Sequence, residues 1–84
     1  MKVELYTVDY CPYCKKALQF LDEKKVEYIN HDITQNEDEM RAKLGIKYDI
    51  KGNVTVPQII INDKRIGGYT DMMALYENGE LNFS

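Results

Sequence analysis

Hydrophobic positions in this chain change their period from segment to segment, and the changes mark its elements. Residues 3–8 are dominated by β-branched and aromatic types (Val3, Leu5, Tyr6, Thr7, Val8) and are predicted to form a first, mostly buried strand. Asp9 and Tyr10 leave it. Ala17, Leu18 and Leu21 then fall on one helical stripe against polar Lys15, Lys16, Gln19, Asp22 and Glu23. Pro12 suits a first helical position, where its missing N–H is not needed, so a helix over 12–25 is expected. Val26, Tyr28 and Ile29 predict a short second strand ending near Asn30 and His31. Asn36 stands where an N-cap is wanted for a helix over 37–44, and Gly45 is its expected stop.

Residues 46–53 scatter Lys47, Asp49, Lys51 and Gly52 among apolar residues with no steady period and read as a loop. Residues 54–61 are the most β-prone of the chain, and Asn62-Asp63 resembles a hairpin turn into a fourth strand at Arg65-Ile66. Gly67-Gly68 breaks that strand, and Thr70 is expected to cap a last helix with Asp71 in its first turn. Met72, Met73, Leu75 and Tyr76 fill its body, and Asn78-Gly79 ends it. The resulting order is β-α-β-α-β-β-α. A strand, crossover helix and strand make a parallel βαβ unit, and the hairpin adds antiparallel strands to the same sheet. The expected fold is α/β: a four-stranded mixed sheet flanked by helices, in a thioredoxin-like arrangement.

Composition narrows the possible functions. Eighty-four residues provide for one domain, read here as 1–84, and 44% hydrophobic with 30% charged residues is a folding composition rather than a disordered one. Eleven basic against fourteen acidic residues leave a net charge of −3, which offers no general phosphate-neutralising surface, so nucleic acid is not an expected partner. The longest uninterrupted aliphatic run, Ile59-Ile60-Ile61, falls far short of the roughly 18–20 residues of a membrane-spanning helix, and no membrane association is expected. Glu4, Thr7 and Asp9 occupy the place of a signal peptide's apolar stretch, so the expected compartment is the cytoplasm.

Cys11 and Cys14 are the whole cysteine inventory and lie three apart. A disulfide closing so short a ring stabilises by only about 2 kcal/mol on loop entropy, against roughly 3 for fifteen residues, so the spacing favours chemistry over stapling. A Cys-x-x-Cys pair beside a βαβ unit is the signature of a dithiol redox site. Cys11 would sit at the N-cap of the first helix, its sulfur facing the unpaired N–H groups of Tyr13 and Cys14, which favours thiolate over thiol. A helix terminus supplies only roughly 0.3–1 kcal/mol when exposed, so direct N–H···S bonds and the cations Lys15 and Lys16 are expected to contribute as well. Cys14, one turn in, is the less exposed, resolving thiol. A zinc site wants four ligands, and His31 alone does not complete one, so no metal is expected and His31 reads as an ordinary polar residue.

Cys11-Pro12-Tyr13-Cys14, Thr55-Val56-Pro57-Gln58 and Gly67-Gly68-Tyr69-Thr70-Asp71, in this order and near these separations, resemble the dithiol glutaredoxin family across essentially the whole chain. The resemblance implies glutathione-dependent reduction of protein disulfides and of protein–glutathione mixed disulfides, with Cys11 as nucleophile and Cys14 as resolving thiol. Glutathione is the implied reducing co-substrate, and a monomer is expected. The resemblance also implies a glutathione groove. In it the Val56 backbone, before a cis Pro57, pairs with the cysteinyl amide. Gly68 allows close approach, and the helix starting at Thr70 and Asp71 meets the γ-glutamyl carboxylate and ammonium. Thr55 flanks the groove, and Tyr13 packs beside the bound sulfur.

One departure stands out. Many glutaredoxins carry a basic residue three positions before the first cysteine, where this chain has Val8; Lys43, Lys47 or Lys51 is the expected replacement at the glycyl carboxylate. Val8 also leaves room for a glutaredoxin-like thioredoxin, reduced by a flavoprotein reductase and serving a client such as ribonucleotide reductase. A cluster carrier sharing iron–sulfur between two chains is a further alternative, against which the second cysteine speaks.

Overall fold

The computed structural model describes residues 1–83. Its elements are β1 (Val3–Thr7), α1 (Pro12–Glu23), β2 (Ile29–Asp32), a 3-10 turn (Thr34–Asn36), α2 (Glu37–Lys47), β3 (Gln58–Ile61), β4 (Lys64–Gly67) and α3 (Tyr69–Glu77). The strands form one sheet in the order β2-β1-β3-β4. β1 pairs parallel with β2, with Leu5 opposite Asn30, and antiparallel with β3, with Leu5 opposite Ile59. β4 closes the sheet antiparallel to β3, with a register shift between Ile59 and Ile60. The β-α-β-α-β-β-α order and the mixed sheet expected from the sequence are both present.

Strand alternation explains the layers. Val3 and Leu5 of β1 and Ile59 and Ile61 of β3 share one face with Ala17 and Leu21 of α1, Met72 of α3 and Leu81, forming the buried cluster. Tyr6 points to the other face, where it stacks on His31. All four residues of β3 are buried.

Several boundaries differ from the sequence reading for local reasons. α1 stops at Glu23, before Lys25, because Lys25 takes a left-handed backbone (φ 57°) and the Lys25 and Val26 N–H groups close back onto Asp22 and Leu21. That closure uses up residues 24–26, and β2 begins only at Ile29 and runs on to Asp32. α2 continues through Gly45 to Lys47. Gly45 is therefore no stop: it lies against Val54, whose Cγ2 would be 3.4 Å from an added Cβ, and the left-handed residue that turns the chain is Asp49 (φ 52°). Asn36 does occupy the N-cap of α2, but its side chain makes no capping bond. β3 is confined to residues 58–61, since Pro57 has no N–H to give the ladder and its peptide bond with Val56 is cis. The hairpin turn holds: Asn62 and Asp63 both have positive φ (52° and 67°), as a two-residue turn of the twisted kind requires. α3 starts at Tyr69 with Gly68 as N-cap, so Thr70 lies inside the first turn and does not cap it.

Candidate active site

The junction of β1 and α1 carries the dithiol. Cys11 has extended N-cap geometry (φ −98°, ψ 118°), and its Sγ accepts from the Cys14 backbone N–H at 3.4 Å. Its thiol in turn lies 3.6 Å from the Val56 carbonyl oxygen, the acceptor just before Pro57. Two backbone groups from different ends of the chain thus hold one sulfur, which is partly exposed. Both cysteines are free thiols. Lys16 extends its ammonium over the Tyr13 ring, 5.2 Å from the centroid.

Cys14 faces inward and is only 1% exposed. Burial pushes its thiol up to about 12, the Val8 backbone pulls the other way, and the neighbouring Cys11 raises it again. The helix turn therefore separates two chemically different sulfurs: one partly exposed and accepting from the Cys14 N–H, one buried and held in its protonated form.

Beside Cys11 a groove of about 380 Å³ runs between residues 55–57 and the start of α3. Tyr13, Thr55, Val56, Pro57, Gly68, Thr70 and Asp71, all expected at the site, line it together. Tyr13 is half exposed and tilts against Tyr69, with ring centroids 6.0 Å apart. At the α3 end, Asp71 Oδ2 accepts from the Gly68 N–H at 2.9 Å. The glycine that this arrangement requires is Gly67. Its φ is 121°, and a Cβ there would fall 2.5 Å from Asp71 Oδ2, whereas one on Gly68 would meet nothing nearer than 3.6 Å.

The three lysines expected to supply a cation are engaged elsewhere. Lys43 pairs with Glu39 at 3.2 Å, Lys51 with Asp49 at 3.4 Å, and Lys47 lies over the Tyr48 ring. One arginine lines the groove in their place and a second stands in an adjoining cleft. Arg41 of α2 donates to the Val54 carbonyl (2.7 Å) and to Glu37 (2.6 Å), while its buried Nε has no partner. It lines a second cleft that shares Thr55 with the first. Arg65 of β4 lines the main groove and donates from Nε to Gln58 Oε1 at 2.9 Å. Arg41 was hidden in the sequence because an arginine on a polar helix face reads as solvated charge, and Arg65 because its position depends on the β3–β4 register. Val8 is buried in the core (2% exposed), so its position offers no surface contact to a ligand.

His31 behaves as an ordinary polar residue, 3.2 Å from Glu4 and stacked on Tyr6. Among the described residues no group of three or more His, Cys, Asp or Glu side chains could hold a metal ion, and no helix is long and apolar enough to cross a membrane.

A family model described as glutaredoxin matches residues 3–66. The chain is 40% identical over 83 residues to glutaredoxin-C4 of Arabidopsis thaliana, an alignment covering 95% of this chain and 58% of that protein. The chain thus spans somewhat over half of that plant relative. It is 39% identical over 79 residues to a glutaredoxin of Pseudomonas aeruginosa, covering 94% of this chain and 89% of the bacterial one. Among solved structures, a buckwheat glutaredoxin–glutathione complex superposes with a TM-score of 0.82 at 26% identity, covering 94% of this chain and 71% of that one. Glutaredoxin 1 from Francisella tularensis, complexed with cacodylate, gives 0.80 at 29% identity, covering 92% and 93%.

Proposed function

This chain belongs to the glutaredoxin family of thiol–disulfide oxidoreductases, with its thioredoxin-like fold, and from that premise we propose that it uses glutathione to reduce protein–glutathione mixed disulfides and protein disulfides. The observation that carries the proposal is the position of the Cys11 sulfur at the edge of the groove, 3.6 Å from the Val56 carbonyl.

In this reading the Cys11 thiolate attacks the glutathione sulfur of a mixed disulfide. A Cys11–glutathione disulfide forms, and the client leaves as a thiolate that takes up a proton. A second glutathione thiolate then attacks the bound glutathione sulfur, releasing oxidised glutathione and restoring Cys11. With a client disulfide, Cys11 forms a mixed disulfide with the client, and Cys14 attacks Cys11 Sγ and expels the second client thiol. Two glutathiones then reduce the Cys11–Cys14 disulfide. The buried, protonated state of Cys14 slows its own attack, which gives glutathione time to act first on the mixed disulfide.

The groove suits an extended tripeptide with a carboxylate at each end. The Val56 backbone, freed from the sheet by Pro57, can pair with the cysteinyl amide as an added strand. Thr55 flanks that pairing, and Tyr13 covers the sulfur. At the other end, Gly68, Thr70 and Asp71 meet the γ-glutamyl group through open N–H groups and the Asp71 carboxylate. Arg41 takes the role assigned to a lysine and meets the glycyl carboxylate, since its cleft adjoins the groove at Thr55. The proposal takes the chain as a cytoplasmic monomer, since a reducing compartment keeps both thiols ready.

Reduction by glutathione, glutathione reductase and NADPH tests this against the alternative of a flavoprotein-reduced protein. Turnover of a glutathione mixed disulfide with that system, and none with thioredoxin reductase, is expected. Turnover with thioredoxin reductase alone would overturn the proposal.

A further inference from the structure

Arg65 is exposed, yet its guanidinium is restrained by a buried side chain. Gln58, directly after Pro57, is 1% exposed and uses its whole amide. Its Nε2 donates to the Thr55 carbonyl at 2.8 Å, and its Oε1 accepts from Arg65 Nε at 2.9 Å. The guanidinium is thereby fixed in angle relative to residues 55–57, the edge on which a peptide ligand would lie. No carboxylate of the described residues lies within ion-pair distance of Arg65, although Asp71 lines the same groove. The Asp71 carboxylate is aligned by the Gly68 N–H. The groove thus presents a guanidinium without a counter-ion, a fixed carboxylate and the open N–H groups of the first turn of α3.

That set of charges complements an α-amino-acid headgroup, in which carboxylate and ammonium sit on one carbon. We propose that Arg65, aimed by Gln58, is the specificity-determining residue for the γ-glutamyl end of glutathione: it takes the α-carboxylate while Asp71 takes the ammonium. This rests on the glutathione reading above. A guanidinium held in advance loses little freedom on binding, and its flat fork suits a carboxylate in a way that lysine does not.

The test is a cycle of two ligands and two proteins, the intact 84-residue chain and Arg65→Gln. The ligands are glutathione and 4-aminobutyryl-cysteinylglycine, which keeps the ammonium and lacks only the glutamyl α-carboxylate. The wild type is expected to show a KM about tenfold lower for glutathione than for the analogue. Arg65→Gln should raise the glutathione KM about tenfold and move the analogue KM by less than about twofold, with Arg65→Lys between. Equal KM values for both ligands in the wild type would overturn the inference whatever the variant does. An equal loss for both ligands in Arg65→Gln would also overturn it, because it would mean that Arg65 acts only by bracing Gln58. Failure of the wild type to turn over either ligand would instead defeat the glutathione reading itself, and Arg65's role with it.

Discussion

The Cys14 backbone N–H points at the Cys11 sulfur from 3.4 Å, while the Cys14 thiol lies 1% exposed behind it. One residue therefore supplies both a backbone donor to the Cys11 sulfur and a second sulfur whose own ionisation burial suppresses. A single helical turn creates this asymmetry, because the N-cap position is at the surface and the residue three further on faces the sheet.

The asymmetry sets the order of alkylation. Iodoacetamide at neutral pH should modify Cys11 in the reduced, folded protein and leave Cys14 largely unmodified, as read by mass spectrometry of the proteolytic fragments. Unfolding in guanidinium should make the two equally reactive. Equal modification in the folded protein would mean that the turn does not separate the sulfurs.

It also shapes stability at alkaline pH. Folding holds the Cys14 proton more tightly than the unfolded chain does, so the contribution is fully present below the ordinary thiol range near 9.0 and is lost as pH rises toward about 12. Urea midpoints of the reduced wild type should fall more steeply across that window than those of Cys14→Ala. The comparison between the two proteins is what isolates Cys14, since buried or hydrogen-bonded tyrosines such as Tyr6 and Tyr28 are raised as well and contribute at high pH in both. Parallel pH profiles would show that Cys14 is not the source.

Arg41 and Glu37 should act in opposite directions on glutathione. Arg41→Gln is expected to raise KM for glutathione about tenfold, the order of one charged hydrogen bond. Glu37 holds the same guanidinium at 2.6 Å and competes with an incoming carboxylate. Glu37→Gln should therefore lower KM, by about twofold given the partial exposure of the pair. Steady-state kinetics with glutathione as the varied substrate measure both. A rise in KM in both variants would indicate that the pair only holds α2 against residue 54.

Two glycine substitutions separate fold from site. Gly67→Ala places a methyl against the Asp71 carboxylate at a backbone angle that alanine resists, so it should lower the thermal midpoint and raise KM for glutathione together. Gly79→Ala has the same kind of backbone penalty (φ 78°) but open space around it, at the end of α3. Its cost should be about 1 kcal/mol of stability with KM unmoved. An unchanged KM in Gly67→Ala would separate Asp71 from ligand binding.

Much of this was legible in the chain itself. The strand and helix order, the N-cap position of Cys11, the left-handed turn at Asn62-Asp63 and the gathering of residues 55–57 with 68–71 all follow from local chemistry and a short motif set. Two helix ends were misplaced because the chain turns at left-handed Lys25 and at Asp49, neither followed by glycine, whereas Gly45 stays helical; the start of β3 was misplaced because Pro57 keeps residues 54–57 out of the ladder. Thr70 looked like a cap by residue type, yet Gly68 holds that place because the Asp71 side chain satisfies its N–H. The arginines were out of reach for another reason. Arg41 and Arg65 come from α2 and β4, and only the packing of α2 against residue 54 and the β3–β4 register bring them to two clefts that meet at Thr55.

The most direct measurement is turnover of a glutathione mixed disulfide by the wild type, Cys11→Ser and Cys14→Ser, with glutathione, glutathione reductase and NADPH. Activity should vanish in Cys11→Ser and persist in Cys14→Ser, since only Cys11 stands at the groove and glutathione itself resolves its mixed disulfide. Activity that survives in Cys11→Ser, or is absent from the wild type, would contradict the account.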